Sequence, residues 1–229
     1  MDFIDQTRMV RALFAFIALL LACVLTAFSW DNYQARPRVC GFSGQSGYYT
    51  NQGKKRSFIA NEASAEDDGT GIYEVVAKMK RTLKFDVPIM IYISKGEGNC
   101  YATTSPDNTR MLVADKDFLI NTNNTTGTKW AAISVLAHEL GHHVAGFDRH
   151  PTQAGDELDA DYWSGYILNK LGASKTASTK CVLRYGGEND TDTHPNKLTR
   201  AEIVQTGWDD AHNNTINYEH CDNCKPEGN

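Results

Sequence analysis

Residues 137–146 read AHELGHHVAG and hold three histidines and one glutamate within six positions. On an α-helix each residue advances by about 100°, so His138 and His142 project from the same side, one turn apart. His143 lies about 100° further round and is predicted to pack or face solvent, away from that pair. An apolar stripe lies on the opposite side of the helix from the pair and comprises Ile133, Leu136, Leu140 and Val144.

This spacing is typical of a metal site. Two neutral imidazoles four residues apart can converge on a zinc ion. Glu139, next to the first histidine, can take a proton from water held on the ion and later deliver it to a leaving amine. The pattern HExxH fixes only three residues, however, so a third ligand has to decide between a site and a helix rich in histidine.

Residues 155–172, GDELDADYWSGYILNKLG, supply a candidate third ligand on a second amphipathic helix. Glu157 can complete a two-histidine, one-carboxylate set that leaves a position for water. Asp161, one turn on, is placed to accept the free N–H of a ligand histidine. The alternative interpretation of this acidic pair is a solvated helix face. In the metzincin pattern the third ligand follows the first histidine by ten residues, which would be Asp148 here. That pattern also needs glycine at position 145, where this chain has Ala145.

These segments resemble the gluzincin metallopeptidases of the HtpX and CAAX-prenyl-protease type. The resemblance rests on HELGHH, on ELDADYWSGYIL, on NCYATTS at 99–105 and on THPNKLTR at 193–200, and it spans about residues 70 to 208. It implies a minimal zincin-like domain in which Glu157 is the third zinc ligand. It also implies that His194 hydrogen-bonds the oxyanion and that Arg200 braces the site.

The same resemblance implies that the strand in NCYATTS lines the cleft and pairs with an extended protein or peptide substrate. Cys100 and Tyr101 stand where the family usually has small residues, which alters the expected shape of the cleft. Larger members of the family have several membrane helices, whereas this chain offers one apolar segment, so prenyl-substrate chemistry is not carried over.

That apolar segment, residues 12–30, has 19 residues without a formal charge and follows Arg8 and Arg11. Its length is typical of a membrane helix and exceeds that of a usual signal-peptide core. We predict a single-pass signal-anchor. Arg36 and Arg38 follow the segment, so the basic residues barely set its orientation, but the five cysteines after it favour a catalytic domain outside the cytoplasm, in the periplasm. The alternatives are a lipoprotein signal ending at Cys23 and a cleaved, secreted form. The net charge of -5 argues against a nucleic-acid partner.

Hydrophobic periodicity gives the rest of the organisation. A helix begins near Ile72, a strand follows from Pro88, and two short strands flank a turn at 105–108. Helical patterns then dominate, which predicts an α+β fold with a small sheet packed against the active-site helix and further helices. The predicted parts are a short N-terminal segment 1–11, a membrane segment 12–30, a tether 31–70, the peptidase domain 71–208 and a tail 209–229 with the CxxC of CDNC.

The functional prediction is a membrane-anchored zinc-dependent endopeptidase that hydrolyses peptide bonds through a zinc-bound water activated by Glu139. The alternative from another class is a zinc-binding, chaperone-like or adaptor module with little or latent proteolytic activity. Hydrolysis of a non-peptide amide also stays open. A site filled by the Gly-rich segment 31–70, or by the tail, would be inactive in a simple assay.

Overall fold

A computed structural model of the chain describes residues 40–41, 58–59, 71–96, 98–104, 109–146 and 153–221. They all belong to one compact unit, Pro37–Asn229. The predicted membrane segment 12–30 lies outside the described residues, as does most of the predicted tether 31–70. Within the ranges given above, no helix combines the length and the apolarity that crossing a bilayer requires.

Among the described residues, the sheet has five short strands: β1 Cys40–Gly41, β2 Phe58–Ile59, β3 Met90–Ser94, β4 Tyr101–Thr104 and β5 Arg110–Asp115. Their order across the sheet is β1-β4-β5-β3-β2. β3 and β5 are parallel, and all other neighbours are antiparallel. β1 and β2 have two residues each and form the edges, so three strands make up the body of the sheet.

Six α-helices accompany the sheet in the part of the chain that the structure describes: α1 Ile72–Leu83, α2 Lys116–Thr126, α3 Trp130–Ala145, α4 Gln153–Leu171, α5 Lys175–Tyr185 and α6 Lys197–Asn213. The predicted α+β class is therefore confirmed. α2 was not predicted from the sequence, because it buries only Phe118, Leu119 and Thr122 and otherwise reads as polar. Its start is fixed by Asp115, whose carboxylate accepts a hydrogen bond from the Phe118 backbone N–H at 3.0 Å.

The two faces of the sheet contribute to different apolar clusters. One face carries Ile91, Leu112 and Ala114, which belong to the main core together with residues of the helices. The opposite face carries Tyr92 and Val113, part of a smaller apolar cluster. Alternate residues of a strand point to opposite faces, which explains this division. The main core therefore lies between the sheet and the helical layer, where α3 is almost wholly buried.

The C-terminal segment, predicted as a tail from residue 209, continues α6 to Asn213 and then packs on α4. The Trp163 indole N–H donates to the His220 carbonyl at 2.8 Å, and the Asn217 backbone N–H donates to the Tyr162 hydroxyl at 2.8 Å. Cys221 is buried and disulfide-bonded. This segment thus covers the outer side of the helix that carries the predicted third ligand.

Candidate metal centre

Helix α3 carries the HExxH residues through the middle of the domain. His138 and Glu139 are fully buried, and His142 is 2% exposed. The rings of His138 and His142 lie edge to face with centroids 4.8 Å apart, as expected for residues one turn apart on one side of a helix. The local sequence alone therefore brings the two imidazoles together.

Helix α4 crosses α3 at Gly141, between the two histidines. A Cβ atom added to Gly141 would lie 2.7 Å from the Ala160 carbonyl oxygen and 3.0 Å from its Cα. Only a residue without a side chain permits this approach. Because Ala160 lies between Glu157 and Asp161 on α4, the contact brings both carboxylates up to the imidazoles. A glycine within a helical pattern often has a packing reason, which is the signal that sequence reasoning could have used.

Glu157 lies between the two imidazoles. Its Oε2 is 3.2 Å from His138 Nε2, and its Oε1 is 3.6 Å from His142 Nε2. One donor atom from each of the three residues can be chosen so that all lie within 4.8 Å of one another. All three side chains are buried. Two imidazole nitrogens and a carboxylate, converging from two helices, form a group that can hold a metal ion.

Asp161 connects this group to Arg200. His138 Nδ1–H donates to Asp161 Oδ1 at 2.9 Å, which leaves Nε2 directed at Glu157. Arg200 donates to both oxygens of Asp161, from Nε at 2.7 Å and from Nη2 at 3.0 Å. Nη2 is also 3.4 Å from Glu157 Oε2. Arg200 is 1% exposed, so its guanidinium is withdrawn from solvent.

His194 approaches the group from the loop before α6. Its Nε2 lies 3.5 Å from Glu157 Oε1, and its ring is almost buried, at 7% exposure. Nδ1 is 3.0 Å from the Thr193 hydroxyl, and the His194 backbone N–H donates to the Thr191 hydroxyl at 2.8 Å. These contacts fix the ring with Nε2 toward the cluster. The structure thus brings together the seven residues predicted from the sequence to form the site: His138, Glu139, His142, Glu157, Asp161, His194 and Arg200. Their roles stay predictions.

Burial and neighbouring charges shift the pKa values of the cluster in opposite directions. Burial lowers the pKa of His142 to about 3. Burial alone would also lower that of His138, but Asp161 and Glu157 together outweigh it and raise the pKa to about 9. The pKa of Glu157 is held below its ordinary value because His138, His142 and Arg200 outweigh the effect of burial.

Glu139 differs from the other acids of the cluster. Burial raises its pKa to about 8. The charge of His138 lowers this pKa, and that of Glu157 raises it further. Neither of its carboxylate oxygens forms a hydrogen bond of normal geometry within the described residues. The Ala102 backbone of β4 lies beside it and moderates the shift. Glu139 is therefore a buried acid whose pKa is close to neutrality, which is typical of groups that exchange protons.

His143 is turned away from the His138–His142 pair, as its angle on the helix predicted, and it contacts the sheet. Its Nε2 lies 2.9 Å from the Met111 carbonyl of β5, and Arg110 donates to the His143 carbonyl. Burial lowers the pKa of His143 to about 3, so the ring is neutral and its Nε2–H donates to Met111. These contacts fix the end of α3 on the sheet, which is a structural role.

Two further close approaches between helix backbones were not predicted from the sequence. A Cβ atom on Gly165 of α4 would lie 1.9 Å from the Val204 carbonyl oxygen of α6, and one on Gly207 would lie 1.9 Å from the Tyr162 carbonyl oxygen. Helices α4 and α6 therefore touch along their backbones. This contact sets the distance from Arg200, on α6, to Asp161, on α4.

Comparison with protein-family models, with curated proteins and with solved structures gives no match. The class of protein is therefore defined by fold and site alone. It is an α+β domain with a buried His-His-Glu group that can hold a metal ion, supported by an Asp–Arg pair and accompanied by a buried glutamate.

Proposed function

We propose that this chain is a zinc-dependent endopeptidase anchored to a membrane through residues 12–30. The observation that carries the proposal is the convergence of His138, His142 and Glu157 around one point, with Glu139 beside them. Tetrahedral zinc with bonds of about 2.1 Å has donor atoms about 3.4 Å apart. His138 Nε2 lies 3.2 Å from one Glu157 oxygen and His142 Nε2 lies 3.6 Å from the other, so each imidazole has a carboxylate oxygen near that spacing. One donor atom from each of the three residues can be chosen with all three within 4.8 Å of one another.

His138 Nε2, His142 Nε2 and the Glu157 carboxylate would hold the ion. Zinc, when bound, supplies Lewis-acid chemistry that polarises a carbonyl and makes water a nucleophile near neutral pH. Asp161 accepts the Nδ1–H of His138, so Nε2 is the ring nitrogen that would bind a metal ion. Arg200 fixes Asp161 by two hydrogen bonds and lies 3.4 Å from Glu157.

Glu139 would move the protons of the reaction. A group with a pKa near the working pH can both accept a proton and return it, and the pKa of Glu139 is raised to about 8. His194 would donate from Nε2 to the oxygen of the scissile carbonyl as charge develops there. Its support is the fixed orientation of the ring toward the cluster, with Nε2 3.5 Å from Glu157.

The compartment is also a proposal. Cys221 is disulfide-bonded, which fits a domain that folds outside the cytoplasm. Cys100 and Cys181 are buried and free. Burial raises the pKa of both thiols, so they are protonated and unreactive. An extracytoplasmic, anchored peptidase is consistent with these cysteine states.

The test compares Glu139→Gln with Glu157→Ala in the full chain. Glu139→Gln should keep one zinc per chain and lose about 10²- to 10⁴-fold in turnover of an unfolded protein such as casein. Glu157→Ala should lose the metal as well as the activity. Metal content is measured by elemental analysis and cleavage by mass spectrometry of the products. Undiminished cleavage by Glu139→Gln would contradict the proposal. So would an absence of cleavage by every zinc-loaded form, which would favour the zinc-binding module.

A further inference from the structure

Both edges of β4 are paired with other strands. One edge pairs with β5, and the other pairs antiparallel with β1, so that Cys40 lies opposite Ala102 and Gly41 opposite Tyr101. β1 comes from the segment ahead of the domain, about 60 residues before β4 in the chain. The outer edge of β4 is thus covered by the chain's own backbone.

β4 is also the strand beside the metal centre. α3 packs against it, and the Ala102 backbone lies next to the Glu139 carboxyl. An extended polypeptide is bound most directly by adding a strand to an exposed sheet edge. Because β5 occupies one edge of β4, an added strand could pair only with the other edge. In this chain Cys40–Gly41 holds that edge.

The burial of the site agrees with this occupation. The base, Glu139, is 0% exposed, and His194 is 7% exposed. A peptidase has to bring a scissile carbonyl within hydrogen-bond reach of its base. With these side chains buried, a polypeptide reaches them only when some part of the chain moves away, so the intact chain should turn over substrate slowly.

We propose that the segment through Cys40–Gly41 occupies the substrate edge of β4 and keeps the site latent until it is released. The inference rests on the proposed function, since it assigns a regulation to that same site. A tethered segment is present at an effective concentration of about millimolar. It therefore competes with an extended substrate at micromolar concentration, although the described pairing is two residues long. Release of the segment frees the edge for a substrate strand.

The first experiment releases the segment from the full chain. A recognition site for an unrelated protease is inserted between Gly41 and Phe58, so that cutting detaches β1 and leaves β2 with the domain. Cys40 is replaced by Ser in cut and uncut forms, so that no disulfide retains the fragment. We expect cutting to raise kcat/KM for a fluorogenic peptide at least 10-fold. A synthetic peptide of residues 34–46 should restore inhibition, competitively with substrate.

A second measurement is independent of hydrolysis. Both forms also carry Glu139→Gln, and binding of a fluorescently labelled 34–46 peptide is followed by anisotropy. The cut form should bind the peptide, whereas the uncut form should not. This outcome without hydrolysis by any form would uphold the occupation of the β4 edge and reject the peptidase function. Equal peptide binding by the two forms would overturn the inference.

Proline substitutions test the pairing in the uncut chain. Along an antiparallel ladder, hydrogen-bonded pairs alternate with pairs that share no backbone hydrogen bond. Of Cys40 and Gly41, only one therefore exchanges both backbone hydrogen bonds with its partner on β4. Cys40→Pro and Gly41→Pro are therefore both made, with Cys40→Ala and Gly41→Ala as matched controls. At least one proline variant should gain turnover or peptide binding toward the level of the cut form, and neither alanine variant should. If both proline variants and the cut form behave like the intact chain in both assays, the segment does not hold the site latent.

Discussion

His138 and Asp161 are joined by a hydrogen bond of 2.9 Å between Nδ1 and Oδ1, deep in the protein and across two helices. Asp161 is itself held by Arg200 through both of its oxygens. The orientation of a predicted metal ligand is therefore set by a residue that lies on a third helix, α6. Each of these contacts gives a measurable consequence.

Asp161→Asn should weaken metal binding by about 10- to 100-fold, the usual cost of losing the outer partner of a ligand histidine. The amide can no longer act as an ionised acceptor for Nδ1–H, so the imidazole loses both orientation and basicity. Affinity is measured by competition with a chelating dye. The control is Asp159→Asn on the same helix, whose carboxylate pairs with His220 at 2.7 Å instead. Equal affinities of the two variants would contradict the role of Asp161.

Gly141→Ala should lower both stability and metal affinity, because the new Cβ would lie 2.7 Å from the Ala160 carbonyl oxygen. The gain in helix propensity is at most about 1 kcal/mol, whereas overpacking of this kind costs about 1–3 kcal/mol. Thermal unfolding and zinc titration provide the measurements. Gly187→Ala is the control, since its Cβ would make only an ordinary contact of 3.5 Å with Asn189. Unchanged zinc affinity in Gly141→Ala would show that the two helices can separate without moving Glu157.

Arg200→Met should destabilise the protein by about 3–5 kcal/mol, because it leaves the buried Asp161 carboxylate with His138 but without the guanidinium that bonds both of its oxygens. Arg200→Lys should recover only part of this loss. Lysine restores the charge but not the fork that bonds both oxygens of Asp161. Denaturant unfolding in a chelating buffer measures the stability separately from metal binding. A lysine variant as stable as the original protein would indicate that charge alone suffices.

Metal-free protein should be most stable near pH 6.5. The pKa of His138 is raised from 6.5 to about 9, and that of Glu139 from 4.5 to about 8. In those ranges the folded state binds more protons than the unfolded state, so stability falls as pH rises. The pKa values of His142 and His143 are lowered from 6.5 to about 3. Below pH 6.5 the unfolded state binds more protons at these two sites, so stability falls again toward acid.

Thermal unfolding in a chelating buffer from pH 5 to pH 9 checks this profile. Glu139→Gln removes one of the two groups that release a proton above neutrality, so its decline between pH 6.5 and 8 should be shallower. A melting temperature that rises steadily from pH 6.5 to pH 9 would show that the cluster does not hold these protons.

Much of the candidate site could be predicted from the sequence, because its parts are local. The i,i+4 spacing puts His138 and His142 on one side of any helix, and the same spacing relates Glu157 to Asp161. The α+β class and most helices followed from apolar periodicity. Helix α2 did not, since its stretch KDFLINTNNTT has little apolar pattern and is fixed by the Asp115 cap. The seven residues singled out in the sequence lie together, but their catalytic roles stay predictions.

Tertiary structure decided how the two helices meet and what covers the site. The sequence could not give the Gly141–Ala160 contact, the position of Arg200 against Asp161, or the pairing of Cys40–Gly41 with β4. Periodicity places a side chain on a face of its own element, but says nothing of the distance to another element. That distance depends on which backbones can touch. Here it depends on glycine at Gly141, where α3 meets α4, and at Gly165 and Gly207, where α4 meets α6.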